Sequence, residues 1–140
     1  MSAKKTKDKK VKKPLKNRAR ILLVEDEKDM AYTVTLQLEA KGYEVIVAED
    51  GQAALQKART ERPNIIILDI MLPKLNGYKV CRMLKFDDKY KNIPIIMFTA
   101  RAQDADKEIG REVGADAYIT KPFEPEVLLE KISELLKQKG

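Results

Sequence analysis

Four short apolar runs in this 140-residue chain lead directly into residues able to do phosphoryl or metal chemistry. Residues 21–24 run into Glu25-Asp26-Glu27, 65–68 into Asp69, 95–98 into Thr99-Ala100, and 117–119 into Thr120-Lys121-Pro122. If these runs end on one rim, Glu25, Asp26 and Asp69 bring three carboxylates together, and such a group repels unless a cation joins it. Oxygen-only ligands call for a hard divalent ion. Mg2+ suits them because it keeps several waters and leaves room for a phosphate oxygen. A carboxylate can attack phosphorus to form an aspartyl phosphate, while a hydroxyl, backbone N–H groups and an ammonium neutralise the phosphoryl oxygens. Asp69 is the candidate nucleophile in that scheme, with Thr99 and Lys121 as oxygen partners.

Taken alone, each residue has a plainer reading. Asp26 or Glu27 could cap a helix beginning near Lys28, leaving Glu25 as a solvated loop charge. Asp69 could shape a turn before Met71-Leu72-Pro73, Thr99 could be an N-cap, and Lys121 a surface charge. Their joint occurrence at the ends of four strands of one sheet favours a common site.

The elements that must position these groups alternate along the chain. Strands are expected at 21–24, 45–48, 65–68, 95–98 and 117–119, each continuously apolar, as parallel strands covered on both faces by helices are. Helices are expected at 28–41, 51–62, 77–87, 103–113 and 125–138, with Gly42 and Gly114 behind two of them and Pro63 behind a third. This pattern predicts an α/β fold, a flavodoxin-like doubly wound five-stranded parallel sheet of order 2-1-3-4-5 with five helices. Its switch point lies beyond the carboxyl ends of strands one and three, where Glu25, Asp26 and Asp69 stand.

Composition narrows the function classes. The chain has no His, which excludes a Ser-His-Asp or Cys-His catalyst, a His-ligated zinc site and a His phosphocarrier built from this chain alone. Lys and Arg number 28 against 22 Asp and Glu, but residues 1–20 hold ten of the bases and one acid, Asp8. Residues 21–140 are therefore net acidic, and any nucleic-acid contact is expected only through the basic residues 1–17. That segment is too poor in apolar residues to pack and is expected to remain disordered, with a single domain at 18–140. The lone Cys81 cannot form an intramolecular disulfide, and no apolar stretch approaches the roughly 20 residues that cross a bilayer. A cytoplasmic protein that does not enter membranes is expected.

The segments ILLVEDE at 21–27, IIILDIMLPKLNGYKV at 65–80, IIMFTA at 95–100 and GADAYITKPF at 114–123 closely resemble the receiver domain of two-component response regulators. The resemblance spans about 18–138. It implies that Asp69 accepts the phosphoryl group and that Asp26, Asp69 and the Met71 carbonyl ligate Mg2+, with Glu25 acting mainly through a metal-bound water. It implies further that Thr99, Lys121 and the backbone N–H groups of Met71 and Ala100 bind the phosphoryl oxygens, that Lys121-Pro122 is cis, and that Tyr118 is a switch residue alongside Thr99. The implied donor is a phosphohistidine on a sensor kinase or histidine phosphotransfer protein. The downstream target is unspecified and would meet a surface of the fourth helix, fifth strand and fifth helix.

Two positions depart from many transcription-factor receivers: Ala117 and Val127 stand where acids support dimerisation. The end of the chain at Gly140 leads to an expectation of a stand-alone, chemotaxis-regulator-like receiver, or of a piece of a larger protein. Met71 and Arg101 correspond to the positions that flank the path of hydrolytic water, and neither offers an amide or acid, so a long-lived phosphoaspartate is expected. The alternatives are a dehalogenase-like Mg2+-dependent phosphatase, which needs an acid where Met71 stands, and nucleic-acid binding through the Lys-rich segment.

Overall fold

In the computed structural model, which describes residues 18–99 and 114–139, every expected apolar run is a strand. The strands are β1 (Arg20–Val24), β2 (Glu44–Ala48), β3 (Ile65–Asp69), β4 (Ile95–Thr99) and β5 (Ala117–Thr120). Between and after them come α1 (Lys28–Glu39), α2 (Gly51–Glu61), α3 (Gly77–Lys85) and α4 (Pro125–Lys139). All strand pairs are parallel and the order is 2-1-3-4-5. The flavodoxin-like expectation is met, with four helices among the described residues. The remaining expected helix, 103–113, lies outside them.

The continuous apolar runs serve two layers at once. Leu22, Val24, Ile66, Leu68, Ile95 and Met97 face α2 and α3, whereas Ile21, Leu23, Ile65, Ile67, Ile96 and Phe98 face α1 and α4. Each such buried side chain contributes about 1.5–3 kcal/mol by leaving water. A one-residue slip of β1 would exchange its two faces and misplace Glu25.

Helix ends follow local chemistry. The Asp50 carboxylate accepts from Ala53 N–H at 2.8 Å and the Asn76 side-chain oxygen from Lys79 N–H at 3.1 Å, starting α2 and α3. Three expected helices stop short: α1 ends at Glu39 ahead of Gly42 at φ 94, α2 ends at Glu61 because Arg62 turns left-handed at φ 47, and α3 ends at Lys85 because Phe86 leaves helical geometry at φ −99 and ψ 10. β3 and β4 run one residue further than expected, so Asp69 and Thr99 are strand residues, held by a ladder that continues through Ile70 N–H to Phe98 O at 3.2 Å. Beneath the sheet's other end, the Lys85 ammonium donates to the carbonyls of Lys91 and Ile93 and to Asp116 Oδ2, which also accepts from Ile95 N–H. This knot ties α3 to the starts of β4 and β5. Among the described residues no helix is long and apolar enough to cross a membrane.

Candidate functional site

Strand register brings the predicted groups together. Val24 pairs with Leu68, so Glu25 emerges beside Asp69, and Asp69 pairs with Phe98, one residue before Thr99. Thr99 pairs with Thr120, and Lys121 follows with its N–H on Thr99 O at 2.7 Å. Glu25 is 2% exposed, Thr99 6% and Asp69 7%, whereas Asp26 is exposed. One carboxylate oxygen from each of Glu25, Asp26 and Asp69 lies within 4.8 Å of the others.

The hydrogen bonds decide between the readings left open by the sequence. Lys121 Nζ donates to Asp69 Oδ2 at 2.7 Å and to Glu25 Oε1 at 3.1 Å, its stem crossing the Phe98 ring with Nζ 5.5 Å from the centroid. Lys121 is therefore no solvated surface charge. Glu27 occupies the N-cap position of α1 without a side-chain cap bond, and Glu25, far from being a solvated loop charge, is buried with Oε2 accepting from Glu27 N–H at 3.2 Å. The turn reading of Asp69 has support, since Asp69 Oδ1 accepts from Met71 N–H at 3.1 Å. The Lys121–Pro122 peptide is cis.

Burial, and then the charge of Asp69, push the Glu25 carboxyl above its ordinary value, with Lys121 opposing both. Burial alone would lower Lys121, but its hydrogen bonds and charge pairing with Asp69 and Glu25 outweigh it and hold the ammonium above the usual lysine range. One ammonium against three carboxylates leaves negative charge at the rim, and an oxygen-only donor set of this size fits a hard divalent cation such as Mg2+. A cleft of about 500 Å3, lined in part by Asp26, Met71, Pro73, Asn76 and Tyr78, opens beside these groups.

Tyr118 is half-buried on β5 opposite Met97, packed toward the α2 and α3 layer. Ala100 and Arg101 lie outside the described residues. One positioning residue escaped the sequence reading: Gly77, the first residue of α3, whose N–H donates to Ile70 O at 2.9 Å. A Cβ there would stand 2.3 Å from Asp69 O and 2.8 Å from Ile70 Cα, so only glycine lets the helix close on the strand end that carries Asp69. The sequence signal was Asn76-Gly77, which announces a helix start but not a close approach.

Comparison with known proteins gives concordant findings. The family model of the response regulator receiver domain matches residues 21–133. The alkaline phosphatase synthesis transcriptional regulatory protein PhoP of Bacillus subtilis is 44% identical over 119 residues, which are 85% of this chain and 49% of that protein. The DNA-binding response regulator MtrA of Mycobacterium tuberculosis is 40% identical over 121 residues, 86% of this chain and 52% of that protein. This chain thus spans about half the length of the curated relatives it matches. Among solved structures, Vibrio cholerae chemotaxis protein CheY4 superposes with a TM-score of 0.80 at 35% identity, covering 84% of this chain and 98% of that one. The receiver domain of a sensor histidine kinase from Pseudomonas aeruginosa, solved with a magnesium ion coordinated in its active-site cleft, gives 0.80 at 31%, covering 86% of this chain and 98% of that one.

Proposed function

Because this chain belongs to the response regulator receiver domain family, we propose that it takes a phosphoryl group onto Asp69 and uses the transfer to switch a partner-binding surface. The observation that carries the reading is the Lys121 ammonium bridging buried Asp69 and Glu25, with an Asp26 oxygen within 4.8 Å of theirs. These 140 residues hold no His, so the donor histidine lies outside them, and a phosphohistidine of a sensor kinase or phosphotransfer protein supplies the right chemistry. An Asp69 oxygen attacks phosphorus, the P–N bond breaks, and the imidazole leaves with its electron pair. Lys121 and the Thr99 hydroxyl bind the phosphoryl oxygens, together with the backbone N–H groups of Met71 and Ala100.

Glu25, Asp26, Asp69 and the Met71 carbonyl would hold Mg2+, which when bound offsets negative charge on carboxylate and phosphoryl oxygens. Residues 18–140 form the receiver unit in this reading, preceded by the basic residues 1–17. Thr99 and Tyr118 relay the change toward β5 and α4. Met71, exposed at the cleft, cannot orient an attacking water, which favours a long-lived phosphoaspartate. A phosphatase reading has less support, since Met71 also stands where a general acid would be needed and the relatives named above are regulators.

The test is incubation with Mg2+ and acetyl phosphate followed by intact-mass measurement. One added phosphoryl group is expected on the wild type and none on Asp69→Asn, which keeps the shape but lacks the anionic nucleophile. Equal labelling of the two would assign the chemistry elsewhere.

A further inference from the structure

Helix α3 carries Lys79, Arg82 and Lys85 and no acidic residue, although residues 21–140 hold 21 acids against 18 bases. Lys85 is engaged internally by Asp116 and two carbonyls, but Lys79 and Arg82 are exposed and have no carboxylate partner among the described residues. Just past the helix, Asp87 accepts from Lys89 N–H and Asp88 pairs with Lys91, and neither acid forms an ion pair with Lys79 or Arg82.

Residues 79, 82, 83 and 86 have the i, i+3, i+4, i+7 spacing of one helix stripe. Between the two cations and the helix end, Met83 is 45% exposed and Phe86 64% exposed, and the Arg82 guanidinium stacks 4.8 Å from the Phe86 ring centroid. Single exposed apolar residues are ordinary on protein surfaces, but here two lie one turn apart, framed by cations with no carboxylate partner among the described residues. The combination asks for a partner with carboxylates for Lys79 and Arg82 and apolar sockets for Met83 and Phe86.

We infer that this α3 face docks an acidic polypeptide segment with aliphatic anchors, by packing one amphipathic stripe against another. Nucleic acid would answer the charges, but a duplex offers no socket for Met83, and an anionic bilayer would require a broader apolar face than two side chains provide. The stripe lies on the solvent side of α3, a helix of the layer opposite the one that α1 and α4 form.

The experiment follows backbone amides of the full chain during titration with a synthetic helical peptide of Glu residues bearing Leu at i, i+3, i+4 and i+7. Shifts centred on residues 79–86 are expected, with affinity that falls as salt is raised and is roughly tenfold weaker for the Arg82→Glu, Phe86→Ser double variant. Lys79→Glu alone is expected to weaken binding about threefold, which covers the case in which the double variant disturbs the helix. Unmoved amides at 79–86, or equal affinity for all variants, would overturn the inference. So would stronger shifts with a single-stranded oligothymidylate or with phosphatidylserine vesicles, which would assign the face to nucleic acid or membrane. Self-association of the chain that the double variant abolishes would replace the acidic segment with a second copy.

Discussion

Lys121 and Asp26 represent two ways of living beside a buried carboxylate. Lys121 compensates Glu25 and Asp69 directly, so removing it leaves both acids facing each other in a site almost closed to water. Lys121→Ala is expected to cost about 3 kcal/mol in thermal melts without Mg2+ near pH 8. The pH dependence has a definite sign. A carboxyl whose folded pKa is raised binds more protons in the folded state, so stability recovers as pH falls through that value. The raised lysine of the wild type keeps its own contribution at all pH values below the ordinary lysine range and loses it only in alkali. The gap between wild type and variant should therefore narrow from about pH 8 to about pH 5, and a constant gap would mean that Glu25 is not the group left exposed to repulsion. Asp26, by contrast, is exposed and has no basic partner among the described residues, so its charge adds repulsion that a bound divalent ion would relieve. Asp26→Asn should raise the melting temperature in chelator and abolish most of the further rise that Mg2+ gives the wild type. A full Mg2+ response in that variant would remove Asp26 from the ligand set.

The strand ends were legible because composition and position coincide there: a run such as IIIL can only be buried on both faces, and the first polar residue after it must stand at the rim. That rule plus the register place Glu25, Asp69 and Thr99 at one rim, with Asp26 and Lys121 one residue further along the chain. Burial does not follow from them. Nothing in Glu25-Asp26-Glu27 tells that the first acid is enclosed and the second open, because that is decided by Lys121, 96 residues away in sequence. Close backbone approach is equally invisible, and Gly77 shows its cost at the scale of an element. Gly77→Ala would drive a Cβ into Asp69 O and Ile70 Cα, both backbone atoms that no rotamer can move aside. The expected result is a loss of about 3 kcal/mol or more, or a displaced Asp69 that phosphorylates at least roughly tenfold more slowly in a protein that still melts cooperatively. Asn76→Ala serves as the comparison, because it removes only the cap of the same helix and should cost about 1 kcal/mol with little change in rate. Equal effects from the two variants would show that α3 stability, rather than its seating against Asp69, is what matters.

At the scale of the whole molecule, Lys121 links the site to the outer strand. Lys121 reaches inward by its ammonium to Asp69 and outward by its N–H to Thr99 O, at the point where β4 and β5 pair. In the proposed reading, a phosphoryl group on Asp69 brings new oxygens that compete with Glu25 for the ammonium, and a Lys121 drawn toward them would pull on the end of β5. Tyr118 lies three residues back, opposite Met97, and in the proposed reading its half-buried ring would register that movement. The proposed chemistry does not require this linkage, because Mg2+ held by the carboxylates would itself offset charge at Asp69. Lys121→Ala should therefore still gain one phosphoryl group from acetyl phosphate, more slowly than the wild type. Its amide spectrum should then fail to show the changes around Thr99 and Tyr118 that phosphorylation produces in the wild type, because a ligand shifts a two-state surface only by contacts that differ between the states. A wild-type-like shift in the phosphorylated variant would separate Lys121 from the switch and leave Thr99 as the connection between phosphate and surface.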